Sequence, residues 1–579
     1  QAVTGSIDAA NGINVNVKKD AVYQGTALNG GSGKTTVDAG GDIRLDQASD
    51  KQSESHSGFN VKASAKGGFT ADSKNFGAGF GGGTHNSESS SSTAQVGNVS
   101  GQQGVELKAG RDLTLQGPDV KSRGDVTLSA GNQVALRAAE STQARKESKL
   151  SGNIDLGAGS SDSKEKTGGS LSVGGAFDIA KVNESAIERQ GATIASDGKV
   201  TLSANGKGDD ALHLQGAKVS GGSAALEAKN GGILLESAKN EQHKDNWSLG
   251  IKANARGGQT FNKDAGGKID PNTGKDTHTL GAGLKVGVEQ QDKTTHANAG
   301  ITAGDVAINS GKDTRLAGAR VDADSVQGKV GGDLRIESRK DVEKGVKVDV
   351  DAGLSHSNDP GSSVTSKLSK VGTPRYAGKV KEKLEAGVNK VADATTDKYN
   401  SVARRLDPQQ DTTGAVSFSK ADGKVTLSAT PAGEKPQGPL WDRGARTVGG
   451  AVKDSITGPA GRQGHLKVNA DVVNNNAVGE QSAITGKNGV ALQVGGQTQL
   501  TGGEIRSQQG KVELGGGKVS QQDVSGQRYQ GGGRVDAAAT IGGLLGGAAK
   551  QSVDGNVPFA SGHASTQQAD AKAGVFSGK

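Results

Sequence analysis

One six-residue pattern recurs along the chain: Leu, any residue, Gly, any two residues, then Val or Ile. It reads LQGPDV from Leu115, LQGAKV from Leu214, LAGARV from Leu316 and LTGGEI from Leu500, and a variant, YQGTAL, starts at Tyr23. A shorter period sits inside each unit. Leu107 to Leu128, Leu115 to Leu136 and Leu214 to Leu235 each span 21 residues, Leu316 to Ile336 spans 20 and Tyr23 to Leu45 spans 22. The segments between are short alternating runs punctuated by Gly, Asp and Asn, which is strand and turn punctuation. A coil this short can bury its apolar side only against the next coil. The pattern therefore predicts an all-β chain, a right-handed parallel β-helix with coils of about 21 residues. Its interior positions include Tyr23, Leu115, Leu214, Leu316 and Leu500.

Composition agrees with a thin interior. Of 579 residues 94 are Gly, only 32% are hydrophobic and 3% aromatic, too few large side chains for several thick cores. Gly has no three-residue period and Pro is only 10, which excludes collagen. The net charge of +7 is spread thinly, so no nucleic-acid partner is expected. With Cys at 0, disulfides, thiolate metal sites and thiol nucleophiles are excluded.

The coils come in pairs, and long arms separate the pairs. Residues 1–530 read as an interrupted β-helix of five repeat units, with arms at about 46–104, 137–199, 236–305 and 337–465. Each arm opens with a polar stretch and then alternates with period two. Phe59 and Val61 lead the first such run, and Trp247, Leu249 and Ile251 face Leu284 and Val286 in the third. In the fourth arm Val346, Val348 and Val350 are expected to pair with Val416 and Phe418. Such arms read as β-hairpins. Their runs approach the roughly 9–11 residues of a membrane-crossing strand, so Phe59, Val61, Trp247, Leu249, Ile251, Leu284 and Val286 are the candidate membrane or partner contacts. The plainer expectation is that the hairpins fold back and bury these residues on the rod. Apolar residues at three- or four-residue steps predict a helical insert over 376–406. Residues 531–579 read as a Gly/Ala-rich C-terminal tail.

No motif carries chemistry. GGSGKTT at Gly30–Thr36 lacks the first Gly of a phosphate loop, because Leu28 stands there. Arg123-Gly124-Asp125 occupies a coil turn, like the GGD at Gly331–Asp333. His278 and His296 lie too far apart for a zinc site, and His213 alternates with Leu212 and Leu214, hence faces outward. DPNTGKD from Asp270 reads as a hairpin tip, since it lacks the terminal Glu of a calcium loop. Asp42, Asp112, Asp125 and Asp333 recur at coil corners and read as turn caps. The expectation is a non-enzyme without cofactor or metal.

The stretches AGRDLTLQG, RGDVTLSAG, GGDIRLDQASDKQSESHSGFNVKASA, GGDLRIESRKD and GGILLESAKNEQHKDNWSLGIKANA resemble the haemagglutinin-repeat region of filamentous-haemagglutinin-like exoproteins. The resemblance covers roughly 10–530 apart from about 360–465. It implies a secreted or cell-surface protein of a Gram-negative bacterium, exported by two-partner secretion through an outer-membrane transporter. It further implies the second haemagglutinin-repeat region of a contact-dependent growth inhibition effector, which helps carry a C-terminal toxin across a target cell's outer membrane. The alternative it leaves open is an adhesin stalk that binds a surface receptor. A monomeric rod is expected. The Val-Glu-Asn-Asn signature before such toxins is missing; VVNNNAV at Val472 is the nearest string, which places any toxin and the secretion domain outside these residues.

Overall fold

The computed structural model describes residues 2–357, 415–421, 424–430, 462–541 and 553–578. Two structures share the chain. One is a rod of stacked coils, a parallel β-helix; the other is a ten-stranded antiparallel sheet built from the arms.

Each coil contributes three short strands. In one coil these are Gly104–Ala109, Leu113–Gln116 and Asp119–Ser122. Each strand pairs in parallel with its counterparts on the neighbouring coils. Gly104–Ala109 lies between Lys34–Ala39 and Val126–Ala130, so Val37, Leu107 and Leu128 form one column. The second column runs Tyr23, Leu45, Leu115, Leu136, Leu214, Leu235, Leu316, Ile336, Leu500. All of these are buried except Tyr23, which packs on the core half-buried at the N-terminal end. Stacking like on like places Leu over Leu at about 4.8 Å and needs no aromatics.

Corners are held by carboxylates. Asp20 Oδ1 accepts from Asp42 N at 2.8 Å, Asp42 Oδ1 from Asp112 N at 3.2 Å, and Asp112 Oδ1 from Gln133 N at 3.1 Å. Asp313 Oδ1 serves Asp333 N at 2.8 Å, and Asp333 Oδ1 serves Gln497 N at 2.9 Å. Asp125, in the Arg-Gly-Asp turn, accepts from Lys199 N on the next coil at 2.8 Å. Each Asp thus satisfies a backbone donor that the turn exposes. GGSGKTT is also a coil corner, with Lys34 paired to Glu106 and Thr35 Oγ1 donating to Ser100 O at 2.6 Å.

An arm leaves after every second coil. The hairpins pair Ala48–Phe69 with Ser73–Gln95, Ala139–Asp162 with Lys166–Gln190, and Ala238–Asn262 with Lys275–Ala297. A fourth pairs Lys340–Ser357 with Arg462–Val478. The fourth arm thus differs from the sequence expectation. Val346, Val348 and Val350 lie opposite Val472, Ala470 and Val468, while Ala415–Ala421 pairs locally with Lys424–Thr430. Two alternating runs on one arm competed for the same partner, and alternation alone does not rank them. The helix expected over 376–406 lies outside the described residues.

The tail reading also gives way. Gln527–Ile541 and Val553–Gln568 form a fifth hairpin, and Gly574–Phe576 returns to the rod beside Glu504–Ser507. Gly and Ala hid this strand pair because they carry little β-propensity. The first three arms end earlier than their sequence bounds. The chain re-enters the rod through three- or four-residue strands such as Asn98–Ser100 and Thr193–Ser196, too short to show alternation.

Candidate functional site

The Gly of the repeated hexad marks each exit. Gly25, Gly117, Gly216, Gly318 and Gly502 all have φ between 55° and 76°, the left-handed region. A Cβ at Gly117 would come within 2.5 Å of the Ala139 Cβ, and one at Gly216 within 2.7 Å of the Ala238 Cβ. Ala139 and Ala238 are the first residues of their arms. The hexad is therefore the socket in which an arm is seated. Glutamines complete it. Gln47 N donates to Gln116 Oε1 at 3.3 Å, Glu140 N to Gln47 Oε1 at 2.7 Å and Ala138 N to Gln215 Oε1 at 3.3 Å. These amides pair backbone groups that lose their ladder where the chain turns out of the rod.

Outside the rod the arms pair with each other. Ser73–Gln95 lies against Ala139–Asp162, Lys166–Gln190 against Ala238–Asn262, and Lys275–Ala297 against Lys340–Ser357. Arg462–Val478 in turn borders Gln527–Ile541, which makes ten strands in one sheet. Directly opposed residues of an antiparallel ladder share a face. Following the register from strand to strand gives one continuous apolar band. Phe80 lies beside Ile154, Leu156 opposite Val173, and Phe177 beside Ile251. Trp247, Leu249 and Ile251 oppose Val288, Val286 and Leu284; Val286 adjoins Val350, and Val350 opposes Val468. Phe59 and Val61 carry the band to the outermost strand.

The other face is polar at the same height. It carries Lys62, Asn153, Asp155, Asn254, Lys252 and Ser248, with Gly opposite most of them. Lys285 and Asp351 sit there as an ion pair at 3.3 Å. Between the band and the rod lies a polar stem of Ser, Thr, Asn, Gln and charged pairs, such as Arg189 with Glu140 at 2.8 Å. Trp247 stands at the boundary of stem and band.

Seven residues were expected to meet a membrane or partner, and the register brings them to this one face. Phe59 is 81% and Val61 77% exposed; Trp247, Leu249, Ile251 and Val286 are half-buried, and Leu284 is buried at 7%. The band is therefore not folded back on the rod. Phe69, Phe76, Phe80, Ile154 and Leu171 are exposed on it too. Sequence reasoning treated the arms singly and missed their union. The signal was present: coils come in pairs, and two coils advance about as far as a two-stranded hairpin is wide, roughly 9.6 Å each.

The remaining candidates stay structural. His213 faces out of the rod, bonded to Glu236 at 2.9 Å; that bond, against the opposing effect of burial, holds the Glu236 carboxyl below its usual range. Burial pushes the Tyr23 hydroxyl up. Asp270 accepts from Asn272 N at 3.0 Å and caps the tip of the third hairpin. Among the described residues no group of three or more His, Asp or Glu is arranged to hold a metal ion, and no helix is long and apolar enough to cross a membrane.

Comparison with known proteins agrees with this architecture. A hemagglutinin repeat model matches residues 1–122, 78–186 and 178–352. A hemolysin of Serratia marcescens is 94% identical over 579 residues, all of this chain and 36% of that protein. A hemolysin of Proteus mirabilis is 36% identical over 99% of this chain and 34% of its own length. A tRNA nuclease CdiA of Yersinia mollaretii is 29% identical over 207 residues, 34% of this chain and 7% of that protein. The chain thus spans about a third of the two hemolysins it matches. No solved structure matches. With coils, register and repeat model in agreement over residues 1–352, the chain belongs to the hemagglutinin repeat family.

Proposed function

We propose that this chain is the membrane-engaging section of a secreted, two-partner-secretion exoprotein of a Gram-negative bacterium. The rod presents the arms, and the apolar face of their sheet meets the lipid of a target cell. The observation that carries this reading is the continuous apolar band with exposed Phe59, Val61, Phe80 and Ile154, backed by a charged face. The eight strands that carry the band, at about 4.8 Å each, and nine-residue runs at about 3.4 Å per residue give a patch on the order of 1,200 Å². Single soluble chains rarely expose more than about 300–600 Å² in one patch. The hemolysin names of two relatives that align with the whole chain point the same way. The role is physical presentation rather than chemistry, and export would use an outer-membrane transporter.

The test is flotation with vesicles of phosphatidylcholine and phosphatidylglycerol. Ile154→Lys with Ile251→Lys, on the apolar face, should lower vesicle binding at least tenfold. Ser172→Lys with Ser248→Lys, on the polar face, should leave it within about twofold. Equal binding by both pairs, or none by the unaltered chain, would reject the reading in favour of an adhesin stalk. The partial likeness to a tRNA nuclease favours a second role within the same reading, carriage of a C-terminal toxin in contact-dependent growth inhibition.

A further inference from the structure

We propose that the sheet meets lipid as a flat plate seated in one leaflet, apolar face down, because the rod forbids its closure into a spanning barrel. This rests on the membrane reading above and adds the topology of contact.

The rod sets the geometry. Hairpins leave it at every second coil, so their bases follow the linear order of the coils. Pairing between neighbouring hairpins continues down to the base, at Thr142 with Ser92, Ile187 with Glu241 and Thr294 with Val342. A closed barrel needs its strands on a circle. Closing this one would break the base pairs or bend the rod, whose coils are continuously hydrogen-bonded.

An unclosed sheet cannot span. The outer edges of Ala48–Phe69 and Val553–Gln568 have no strand partner among the described residues. In a bilayer core each unpaired N–H and C=O costs several kcal/mol. In the interface the same edges lie at headgroup depth, where water reaches them. The polar face agrees with this pose, since Lys62, Asp155, Lys252 and Asp349 share the height of the apolar band and would stand above the lipid in water. Among the described residues the aromatics also form no pair of belts of the kind that flanks a spanning barrel. Phe59, Phe69, Phe76 and Phe80 are scattered through the height of one hairpin. A protein partner would need anchoring pockets; a continuous face of Val, Leu, Ile and Phe fits fluid acyl chains.

The chain has 0 Cys, so single cysteines can be introduced and labelled cleanly. Leu249→Cys and Phe59→Cys probe the apolar face, Ser248→Cys the polar face, and Ala71→Cys the exposed tip of the first hairpin. Each is labelled with an environment-sensitive fluorophore and mixed with the same vesicles. The plate predicts blue-shifted emission at 249 and 59, none at 248, and full reaction of the Ala71→Cys variant with an impermeant thiol reagent added outside. Reaction of that tip only with reagent trapped inside the vesicles would show spanning and overturn the proposal. A shift at both 248 and 249 would overturn it as well. Blue shift at 249 without lipid, in a protein sedimenting as a dimer, would assign the face to a second copy. Failure of the unaltered chain to float would remove the membrane reading itself.

Discussion

Leu214 and Gly216 stand two residues apart and have opposite requirements. Leu214 is fully buried in the column between Leu136 and Leu235. Leu214→Asp buries an unpaired charge and should cost several kcal/mol. Arg320 lies on an outward strand position, bonded to Asp322 at 2.6 Å. Arg320→Ala should cost no more than about 1 kcal/mol, the range of a surface ion pair. Thermal melts that rank the two variants equally would contradict the stacked column. Gly216 has φ +61° and its missing Cβ faces Ala238. Gly216→Ala should therefore destabilise by about 1–2 kcal/mol from the left-handed backbone alone, and more from the contact. Gly257, with nothing within 4 Å of its Cβ position, is the control, and Gly257→Ala should melt like the parent. Asp333 gives a pH test. Its bond from Gln497 N, then Arg335, holds its carboxyl below the usual value. A depressed native pKa contributes stability above the unfolded value, which is lost as pH falls through the native one. Asp333→Asn keeps an oxygen acceptor but no charge. It should melt below the parent at pH 7, and the gap should close as pH drops below about 4. A gap constant from pH 7 to 3 would remove the charge from the account.

At the scale of elements, the rod was legible because its periodicity is local. A 21-residue repeat shows which residues stack, since identical positions recur, and Tyr23, Leu115, Leu214, Leu316 and Leu500 occupy one column. The pairing within the third hairpin was legible for the same reason; two dense alternating runs flank a turn, and Trp247, Leu249 and Ile251 meet Val288, Val286 and Leu284. Pairing between hairpins was not legible. It joins Phe80 to Ile154 and Phe177 to Ile251 across intervening coils, and no local pattern encodes a partner strand that distant in sequence. The fifth hairpin escaped because Gly531, Gly532 and Gly533 carry no alternation to read. The polar stem shows what alternation costs when it is misjudged. A one-residue slip in Ala238–Asn262 would carry Trp247, Leu249 and Ile251 to the polar face. The stem pairs, such as His243 with Asp292 at 2.6 Å, therefore help fix register as well as solubility.

At the scale of the whole molecule, the two sheets share one ruler. Coils and strands both advance about 4.8 Å, so two coils match one hairpin. This agreement predicts which deletions the architecture tolerates. Removing residues 117–215 takes out one unit, the 99 residues from the Leu115 hexad to the Leu214 hexad, with two coils and the second hairpin. Gln116 then precedes Gly216, and the hexad socket is rebuilt. Ser73–Gln95 acquires Ala238–Asn262 as its neighbour, in the place that Ala139–Asp162 held, with the same face down. Rod and sheet both stay continuous, and the protein should melt in one cooperative step and still float with vesicles. Removing only 117–137 takes out one coil of 21 residues. The rod can restack, because Leu115 meets Leu214 as Leu136 did. The first two arms would then leave the rod about 4.8 Å apart, half the width that a hairpin needs. One hairpin must detach from the sheet, exposing a fresh edge inside the band. The smaller deletion should thus be the more damaging: proteolysis should release fragments of the first or second arm, and vesicle binding should fall, while circular dichroism keeps the rod's β signal. Intact arms after the 21-residue deletion, or a sheet lost after the 99-residue one, would show that the arms fold independently of the rod.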